Sequence, residues 1–463
     1  MPGLPNVAVK RVREIFVRAD LGDPRRVRRA VALAENLAKC AQIALPKVWA
    51  THRELEAGYR FLRNPAAGFT KLMEAVQLAT RDEALKAKRV LVLHDTTDIT
   101  CPAAEGDEVG FLPTGKAGFY VHHAFCVSSD EENRPLGMLW SQVWGRPERS
   151  LRKGKLSGSA LTKLDERESD RWLESASEAH LWAEGCEQVV HVMDREADSF
   201  RVFEHMADLG ADYVVRLKHD RTTDDGRISE RLRDAPVKLE RLVELSVRGQ
   251  KSMPRYSHQG RAARQASLTV RADKVAIQPL KYMPESEPIT VNVVQVLEEN
   301  PPVGEKPIAW VLATSLPVTS RTDIERIIDI YRARWQIEEL HKALKTGCMF
   351  EKRQLESFES ITTLLALCYP IACELLMMRS CSRQKGPASD VLRKSLLACL
   401  RLQPQADKLP PQPTLEQALA VIAKMGGHIK WNGPPGWQTL ALGYADLLRF
   451  EQGWLAAKAS PDL

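Results

Sequence analysis

Three acidic side chains in this 463-residue chain have the types and settings that metal chemistry needs. Asp95 and Asp194 each end a short β-branched run, and Glu338 lies in a segment with helical character. Carboxylates at strand ends can converge at one edge of a sheet, and a third can reach that edge from a helix packed over it. Because carboxylate oxygens bind divalent cations, the three residues predict a site for two metal ions. Arginines and lysines around them are of the kind that binds phosphate.

The helix predicted around Glu338 also carries basic side chains. Counted from Tyr331, the residues Arg334, Glu338 and Lys345 stand at +3, +7 and +14. On one continuous α-helix all four side chains would fall within a sector of roughly 60°, with Lys342 beside them. Such a face can hold a metal and the phosphates of a passing strand. Glu and Lys on one helix face often form only ion pairs, so both interpretations stay open.

Each aspartate also has a plainer interpretation. Aspartate after a strand is a common turn or N-cap residue. Asp98, Glu196 and Asp198 lie close by in sequence and compete for a ligand role, although capping or support suits them better. Asp95 and Asp194 therefore gain meaning only as partners of Glu338.

Two other metal sites fit the sequence poorly. Glu338 and His341 have the Glu-x-x-His spacing of di-iron helical bundles, but no second such pair lies in a convincing helix and the predicted strands oppose a bundle. Structural zinc is disfavoured because the nine cysteines form no Cys-x-x-Cys pair. Their odd number predicts free thiols in a reducing compartment.

Charge and hydropathy restrict the location and the partners. The net charge is +6, yet residues 1–70 alone carry thirteen Lys and Arg against six Asp and Glu, which is +7. A basic, helical amino-terminal region favours nucleic-acid binding over a merely solvated helical face. The apolar stretch 361–378 is interrupted by Pro370 and Glu374, so a buried helix is predicted rather than a membrane span. With no apolar signal core at the start, the protein is expected in the cytoplasm.

The rest of the chain predicts an α/β fold between helical ends. Apolar and alternating runs predict strands, which are 90–93, 119–127, 138–144, 189–193, 213–215 and 308–313. The segment from about 220 to 305 alternates like antiparallel β-structure and forms a predicted insertion. Its stretch 248–274 is rich in cations, which are Arg248, Lys251, Arg255, Arg261, Arg264, Arg271 and Lys274, against the single acid Asp273. Trp310 lies in an apolar strand and is either a core residue or a platform for an extruded base.

Taken together, these motifs resemble the ribonuclease-H-like DDE transposases of bacterial insertion sequences. The branch in question has a Tyr-x-x-Arg-x-x-x-Glu-x-x-x-x-x-x-Lys signature, which the residues from Tyr331 to Lys345 match. Asp95-Thr96-Thr97 is similar to the first carboxylate motif of that family, and residues 194–198 are similar to the second. The likeness extends to residues 21–26 and 59–61 near the amino terminus.

The resemblance implies an architecture and a set of partners. A helical DNA-end-binding domain would occupy residues 1–70, a ribonuclease-H-like mixed-sheet catalytic domain 71–370 with its β insertion, and a helical dimerisation domain 371–463. A homodimer would bind double-stranded DNA at the transposon ends and at the target, in a bacterial cytoplasm and on the nucleoid. Asp95, Asp194 and Glu338 would hold two Mg²⁺ ions, for which Mn²⁺ would substitute.

The resemblance also implies which side chains touch DNA. The predicted end-binding residues are Arg25, Arg26, Arg29, Arg60 and Arg63. The predicted strand-gripping residues are Arg216, Lys218, Arg334, Lys342 and Lys345. Trp310 would hold a flipped base and Tyr331 would support the hairpin phosphate.

The activity implied is cut-and-paste transposition, in which a nick frees a 3′-hydroxyl, a hairpin forms and opens, and the end attacks target DNA. Two alternatives remain open. One is a ribonuclease-H-like nuclease that cuts without joining, and the other is a DNA-binding inhibitor that has lost catalysis.

Overall fold

A computed structural model describes most of the chain. The described residues are 4–39, 44–49, 51–146, 158–245, 251–253, 256–258, 260–280, 283, 285–381, 386–390, 392–429 and 435–459. They divide into two compact units, which are treated separately. Unit one contains the described residues within 1–166, 178–187 and 335–463, and unit two those within 167–177 and 188–334. The predicted domain boundaries near 70 and 370 stay a prediction.

Helices and strands alternate along the chain. The helices are α1 Leu4–Phe16, α2 Pro24–Lys39, α3 His52–Leu62, α4 Phe69–Ala87, α5 Gly106–Val109, α6 Gly158–Trp182, α7 Phe200–Asp208, α8 Ile228–Asp234, α9 Arg321–Ala333, α10 Trp335–Lys342, α11 Phe358–Cys381, α12 Lys394–Arg401, α13 Leu415–Met425 and α14 Trp437–Ala459. The strands are β1 Arg89–Thr100, β2 Gly118–Ser128, β3 Pro135–Trp144, β4 Gln188–Met193, β5 Asp212–Arg216, β6 Thr222–Thr223, β7 Gly226–Arg227, β8 Val237–Leu245, β9 Lys251–Met253, β10 Tyr256–His258, β11 Arg264–Ile277, β12 Ile289–Leu297 and β13 Ala309–Thr314.

Unit one contains the antiparallel strands β1, β2 and β3 in the order β3-β2-β1. The strands predicted at 119–127 and 138–144 are confirmed as β2 and β3, which pair as an antiparallel hairpin. Every residue of β2 is buried, which explains why its sequence reads as a continuous apolar run rather than an alternating one. Helices α4 and α11 pack against β3 and cover this sheet.

Helix α11 is the apolar segment that the sequence predicts to be a buried helix. By length and composition, Phe358–Arg379 is the one helix among the described residues that could cross a membrane, with a mean hydropathy of 1.8. However, 89% of its most apolar window is buried inside the protein, and Pro370 lies within the helix. The prediction of a buried helix is confirmed.

Unit two contains the parallel pair β4 and β5, followed by the antiparallel strands β13, β12 and β11. The predicted antiparallel structure at about 220–305 is confirmed. Its strands do not form a separate sheet, because β12 pairs with β13 and extends the sheet of unit two. Three antiparallel strands in unit one and the parallel β4–β5 pair in unit two confirm the expected mixed α/β class.

The amino-terminal region is helical, as predicted. Helix α1 ends at Phe16, Gly22 adopts a positive φ of 67°, and Pro24 is the first residue of α2. Proline suits that position because its missing N–H would have no partner in the first turn. Asp23 Oδ1 accepts a hydrogen bond of 2.7 Å from the Arg25 N–H and completes the start of the helix.

Cysteines do not stabilise the fold through disulfides among the described side chains. Seven of them are free thiols, which are Cys101, Cys126, Cys186, Cys348, Cys368, Cys373 and Cys399. Six of these seven are buried, so they act as small apolar side chains.

A buried ion pair joins α1 to α11 within unit one. Arg11 Nη1 lies 2.9 Å from Oε1 of Glu374, whose side chain is only 3% exposed, and Arg11 Nη2 donates to the Leu136 carbonyl on β3. Burial raises the pKa of the Glu374 carboxyl, and the charge of Arg11 opposes that rise. The Arg11 guanidinium therefore reduces the free-energy cost of a charged Glu374 side chain in the interior.

We predict that Arg11→Met destabilises the protein by about 3–5 kcal/mol, because it leaves the Glu374 carboxylate buried without its partner. The melting temperature should fall clearly. Additional replacement of Glu374 by Leu should recover much of the loss. Lys10→Met is a matched control, since the Lys10–Glu14 pair on the same helix is 62% and 61% exposed and should matter little.

The deficit of the Arg11→Met variant should depend on pH. The folded-state pKa of Glu374 lies above its ordinary value of 4.5, so its protonated form is favoured by folding. Stability from such a group is present at low pH and is lost as pH rises through the raised pKa. The difference in melting temperature from the wild type should thus be smallest in acid. An equal deficit in acid and at neutral pH would contradict a charged Glu374 as its cause.

Candidate active site

Asp95 lies inside β1 and not at its end. The strand continues to Thr100, because its main chain stays paired with β2 along its whole length. The prediction that Asp95 terminates the strand is therefore wrong. Asp95 is half-buried, stands directly opposite His123 of β2, and its Oδ1 accepts a hydrogen bond of 2.8 Å from the Thr96 N–H.

Glu338 is half-buried on α10, and the single continuous helix predicted around it is also wrong. Helix α9 stops before Arg334, and α10 runs only from Trp335 to Lys342. A five-residue π-helical segment, Ala343–Gly347, follows. A π-helix has more residues per turn than an α-helix, so Lys345 does not keep the angular position that an ideal α-helix gives it. Tyr331 and Arg334 belong to unit two, whereas Glu338 and Lys345 belong to unit one.

Within unit one, α10 packs against β1, so Asp95 and Glu338 lie on neighbouring elements. A buried hydrogen bond of 3.0 Å links His123 Nδ1 to His341 Nε2, one turn beyond Glu338 on the same helix. The sequence reasoning missed His123 entirely, and it considered His341 only as a possible di-iron ligand. The available signal was the His122-His123 doublet in an otherwise apolar strand.

Asp194 follows β4 in unit two, as predicted. It is the N-cap of a short 3₁₀ turn, Arg195–Ala197, and its Oδ1 accepts a 2.8 Å hydrogen bond from the Glu196 N–H. Its Oδ2 has no hydrogen-bond partner among the described residues. Asp194 is half-buried, so one carboxylate oxygen is fixed by the turn while the other is available to a ligand.

Asp198 is a supporting residue, as predicted. Its carboxylate accepts hydrogen bonds of 2.6 and 2.7 Å from the Lys218 and His219 N–H groups, and one of 2.7 Å from Arg221 Nε. Both Asp198 and Arg221 are buried. The aspartate therefore fixes the backbone of Lys218 after β5, whose own side chain is exposed.

The donor set suits a hard divalent cation, because Asp95, Asp194 and Glu338 offer only carboxylate oxygens. No group of three or more His, Cys, Asp or Glu in the described part of the chain could hold a metal ion as it stands. The two carboxylates of unit one lie on packed elements, while Asp194 belongs to unit two. The assignment of all three as ligands stays a prediction.

A second cluster, within unit two, surrounds Tyr331. Its ring meets Trp310 edge to face, with centroids 5.3 Å apart and an interplanar angle of 67°. Burial raises the pKa of the Tyr331 phenol, and the guanidiniums of Arg334 and Arg216 oppose that rise, the latter also through a hydrogen bond. Arg216 Nη2 further donates to the Ala309 carbonyl at 3.0 Å. Two guanidiniums thus converge on one buried hydroxyl.

Two of the predicted strand-gripping lysines pair with carboxylates. Lys345 Nζ lies 3.1 Å from Asp98 Oδ1, and Lys342 Nζ lies 2.8 Å from Glu339 Oε1. Lys342 also stands over the exposed ring of Trp335, 5.2 Å from its centroid. Each pair has one partner that is at least half exposed, which is Lys342 in one pair and Asp98 in the other.

The predicted DNA-end residues of the amino-terminal helices differ in accessibility. Arg25, Arg60 and Arg63 are exposed, and Arg29 is half-exposed. Arg26 instead donates from Nη1 to the Leu21 carbonyl at 2.8 Å, which secures the helix start. Four arginines therefore present their guanidiniums outward more freely than the fifth.

The basic character expected of the 220–305 insertion is partly neutralised. Arg264 pairs with Glu298 and, at 2.8 Å, with Glu305, while Arg271 pairs with Glu299 at 3.0 Å. These acids follow the basic run 248–274 in sequence, so counting charges within the run alone overstated its positive electrostatic potential. Among the seven cations of the run, Arg248 and Arg255 lie outside the described residues, as does the side chain of Lys251.

We predict that Asp198→Asn lowers the melting temperature far more than Asp194→Asn. The first change leaves the buried Arg221 without its countercharge, at a cost of about 3–5 kcal/mol. The second keeps a good N-cap acceptor, because asparagine caps a helical turn as well as aspartate does. Thermal unfolding of both variants beside the wild type tests this. Equal losses would mean that Asp194, too, is a structural residue.

Two family models match the sequence. Residues 11–67 match the family described as Transposase DNA-binding, a segment with the exposed arginines 25, 60 and 63. Residues 158–372 match the family described as Transposase DDE domain, and this segment contains Asp194 and Glu338, whereas Asp95 precedes it.

Among solved structures, the chain is similar to a piggyBac transposase synaptic complex with hairpin DNA, determined by cryo-EM. The identity is 10% and the TM-score 0.36, over 99% of this chain and 82% of the other. That likeness is too distant to carry any argument here. The family matches show a transposase DNA-binding domain and a transposase DDE domain in this chain, which supports its assignment as a DDE transposase.

Proposed function

We propose that this protein moves a bacterial insertion sequence by cut-and-paste transposition. It would nick the element's ends, form and open a hairpin at each, and join the freed 3′-hydroxyls to target DNA. The coarser assignment to the DDE transposases is the starting point. The Tyr331-to-Lys345 signature supports the branch, and the arrangement of the side chains supports the individual steps.

Asp95, Asp194 and Glu338 would act as ligands of divalent metal, with Mg²⁺ as the natural ion and Mn²⁺ as a substitute. When bound, two such ions would stabilise the attacking and leaving oxygens of each in-line displacement. The hydrogen bonds from the Thr96 and Glu196 N–H groups would fix the orientation of the two aspartates.

The observation that carries the hairpin step is the Tyr331 cluster. A half-buried indole at Trp310 offers a stacking surface for a base rotated out of the duplex, and Tyr331 supports that ring edge to face. Arg216 and Arg334 place positive charge beside the Tyr331 hydroxyl, where a sharply bent phosphate would need it. Simple hydrolysis of DNA would need none of these groups.

The remaining contacts would grip the DNA backbone. Arg25, Arg29, Arg60 and Arg63 on the basic amino-terminal helices would bind the element's ends. Lys218, Lys342 and Lys345 would neutralise phosphates near the cut. The carboxy-terminal helices would join two copies into a dimer on the paired ends, and the protein would work in the cytoplasm and on the nucleoid.

We predict that Glu338→Gln lowers the rate of metal-dependent nicking by about a thousandfold, because losing one ligand removes several kcal/mol of transition-state stabilisation. The assay uses a duplex with the inverted repeat that flanks the gene. Glu325→Gln is the matched control, as it removes a half-exposed carboxylate from α9. A Glu338→Gln protein that still nicks at the normal rate with Mg²⁺ would rule the assignment out.

We predict that Trp310→Ala slows hairpin formation more than the first nick. Stacking on an aromatic ring contributes about 1–3 kcal/mol per base, which corresponds to roughly 5- to 150-fold in rate. Trp310→Phe keeps a ring and should retain most of the hairpin rate. Nick and hairpin products are separated on a denaturing gel over time. Equal slowing of both steps would contradict a stacking role.

A further inference from the structure

Four side chains of unit one form a connected chain of hydrogen bonds. Ser141 Oγ lies 2.7 Å from the Tyr369 hydroxyl, which lies 2.9 Å from His123 Nε2. His123 Nδ1 lies 3.0 Å from His341 Nε2. The four residues come from β3, α11, β2 and α10, so the chain connects two strands to two helices.

The middle of this chain is sealed from solvent. His123 and Tyr369 are fully buried, and His341 is 8% exposed. Burial, together with the nearby charge of Lys345, lowers the pKa of His123 to about 3, so the imidazole is neutral. A neutral imidazole has one N–H donor and one acceptor nitrogen. If His341 donates to His123, then His123 donates to Tyr369, and the reverse polarity is equally consistent.

His123 connects this chain of hydrogen bonds to the neighbourhood of two carboxylates, Asp95 and Glu338. His123 stands directly opposite Asp95 in the β1–β2 register, and directly opposite residues project from the same face of a sheet. Its other contact, His341, lies three residues after Glu338, which is about one helical turn. The imidazole of His123 therefore links β2, which pairs with the strand that carries Asp95, to the helix that carries Glu338.

We propose that His123 is a positioning residue, which sets the spacing between Asp95 and Glu338 for divalent metal through its hydrogen bond to His341. This inference rests on the proposed function, in which those carboxylates bind metal. Tyr369 and Ser141 hold His123 in the required orientation. Mg²⁺ demands near-ideal octahedral geometry, so a small shift of α10 would weaken binding. Groups behind metal ligands typically alter affinity 10- to 100-fold when replaced.

Two conservative variants of His123 separate the two hydrogen bonds. The amide of asparagine reaches about as far as Nδ1 and can still meet His341. The amide of glutamine reaches about as far as Nε2 and can still meet Tyr369. A positioning role predicts that His123→Gln weakens metal binding 10- to 100-fold, whereas His123→Asn weakens it only a few-fold. A purely structural role predicts no difference in metal affinity between the two.

The primary measurement is Mn²⁺ binding to the full chain, followed by electron paramagnetic resonance, with and without the end duplex. The second is the Mg²⁺ concentration that half-saturates nicking, measured with the affinity for the duplex, which should not change. The melting temperature reports any general loss of folding. His205→Gln is the matched control, since it makes the same substitution at a histidine of unit two, whose Nε2 lies 2.8 Å from Ser177 Oγ.

Tyr369→Phe provides a milder test that keeps the ring, which meets His123 edge to face at 5.4 Å. It should raise the half-saturating Mg²⁺ concentration several-fold, and it carries the test if the His123 variants do not fold. Unchanged Mn²⁺ affinity in His123→Gln, or in Tyr369→Phe in its place, would overturn the inference. Wild-type protein that binds Mn²⁺ but never nicks end DNA would defeat the proposed function alone.

Discussion

The burial of a polar side chain, His123 of β2, is the constraint on which the packing of unit one depends. Burying a histidine in a strand that is buried along its whole length is costly unless the ring nitrogens find partners, since an unsatisfied buried polar group costs several kcal/mol. His123 meets this requirement with His341 on α10 and Tyr369 on α11. Helices α10 and α11 must therefore pack against β2 at positions that bring their side chains within hydrogen-bond distance of His123. The apolar contacts make this packing stable, and the hydrogen bonds make it specific.

Unit two applies the same principle to charge. Asp198 and Arg221 are buried and pay no penalty for unpaired charge, because each satisfies the other and Asp198 also binds two backbone N–H groups. Four residues earlier, Asp194 is engaged only by a local turn. Two aspartates in one short motif thus have different tasks. The difference comes from the residues that reach each carboxylate from elsewhere in the chain, not from the motif itself.

Much of the fold was visible in the sequence because apolar periodicity reports local structure directly. Strands β2, β3, β4 and β5 and the buried α11 were all predicted correctly. The end of β1 was not, since a polar residue such as Asp95 can stay in a strand when a neighbouring strand continues to pair with it. The division of the predicted helix at Arg334 and the π-helical segment gave no sequence signal either, because both keep helix-forming residues.

The candidate site was predictable only as a set of residue types. Long-range pairing decides which charges are available, and no window of sequence reveals that Arg264 meets Glu298 thirty-four residues later. This pairing also determines which arginines and lysines a DNA phosphate could bind. Arg264 is largely enclosed with two acids, so a phosphate would have to replace both. Lys345 faces Asp98, which is 54% exposed, and solvent already weakens that pair. A DNA phosphate can replace one exposed carboxylate at little cost, so Lys345, rather than the paired Arg264 of the insertion, is the group suited to bind the strand.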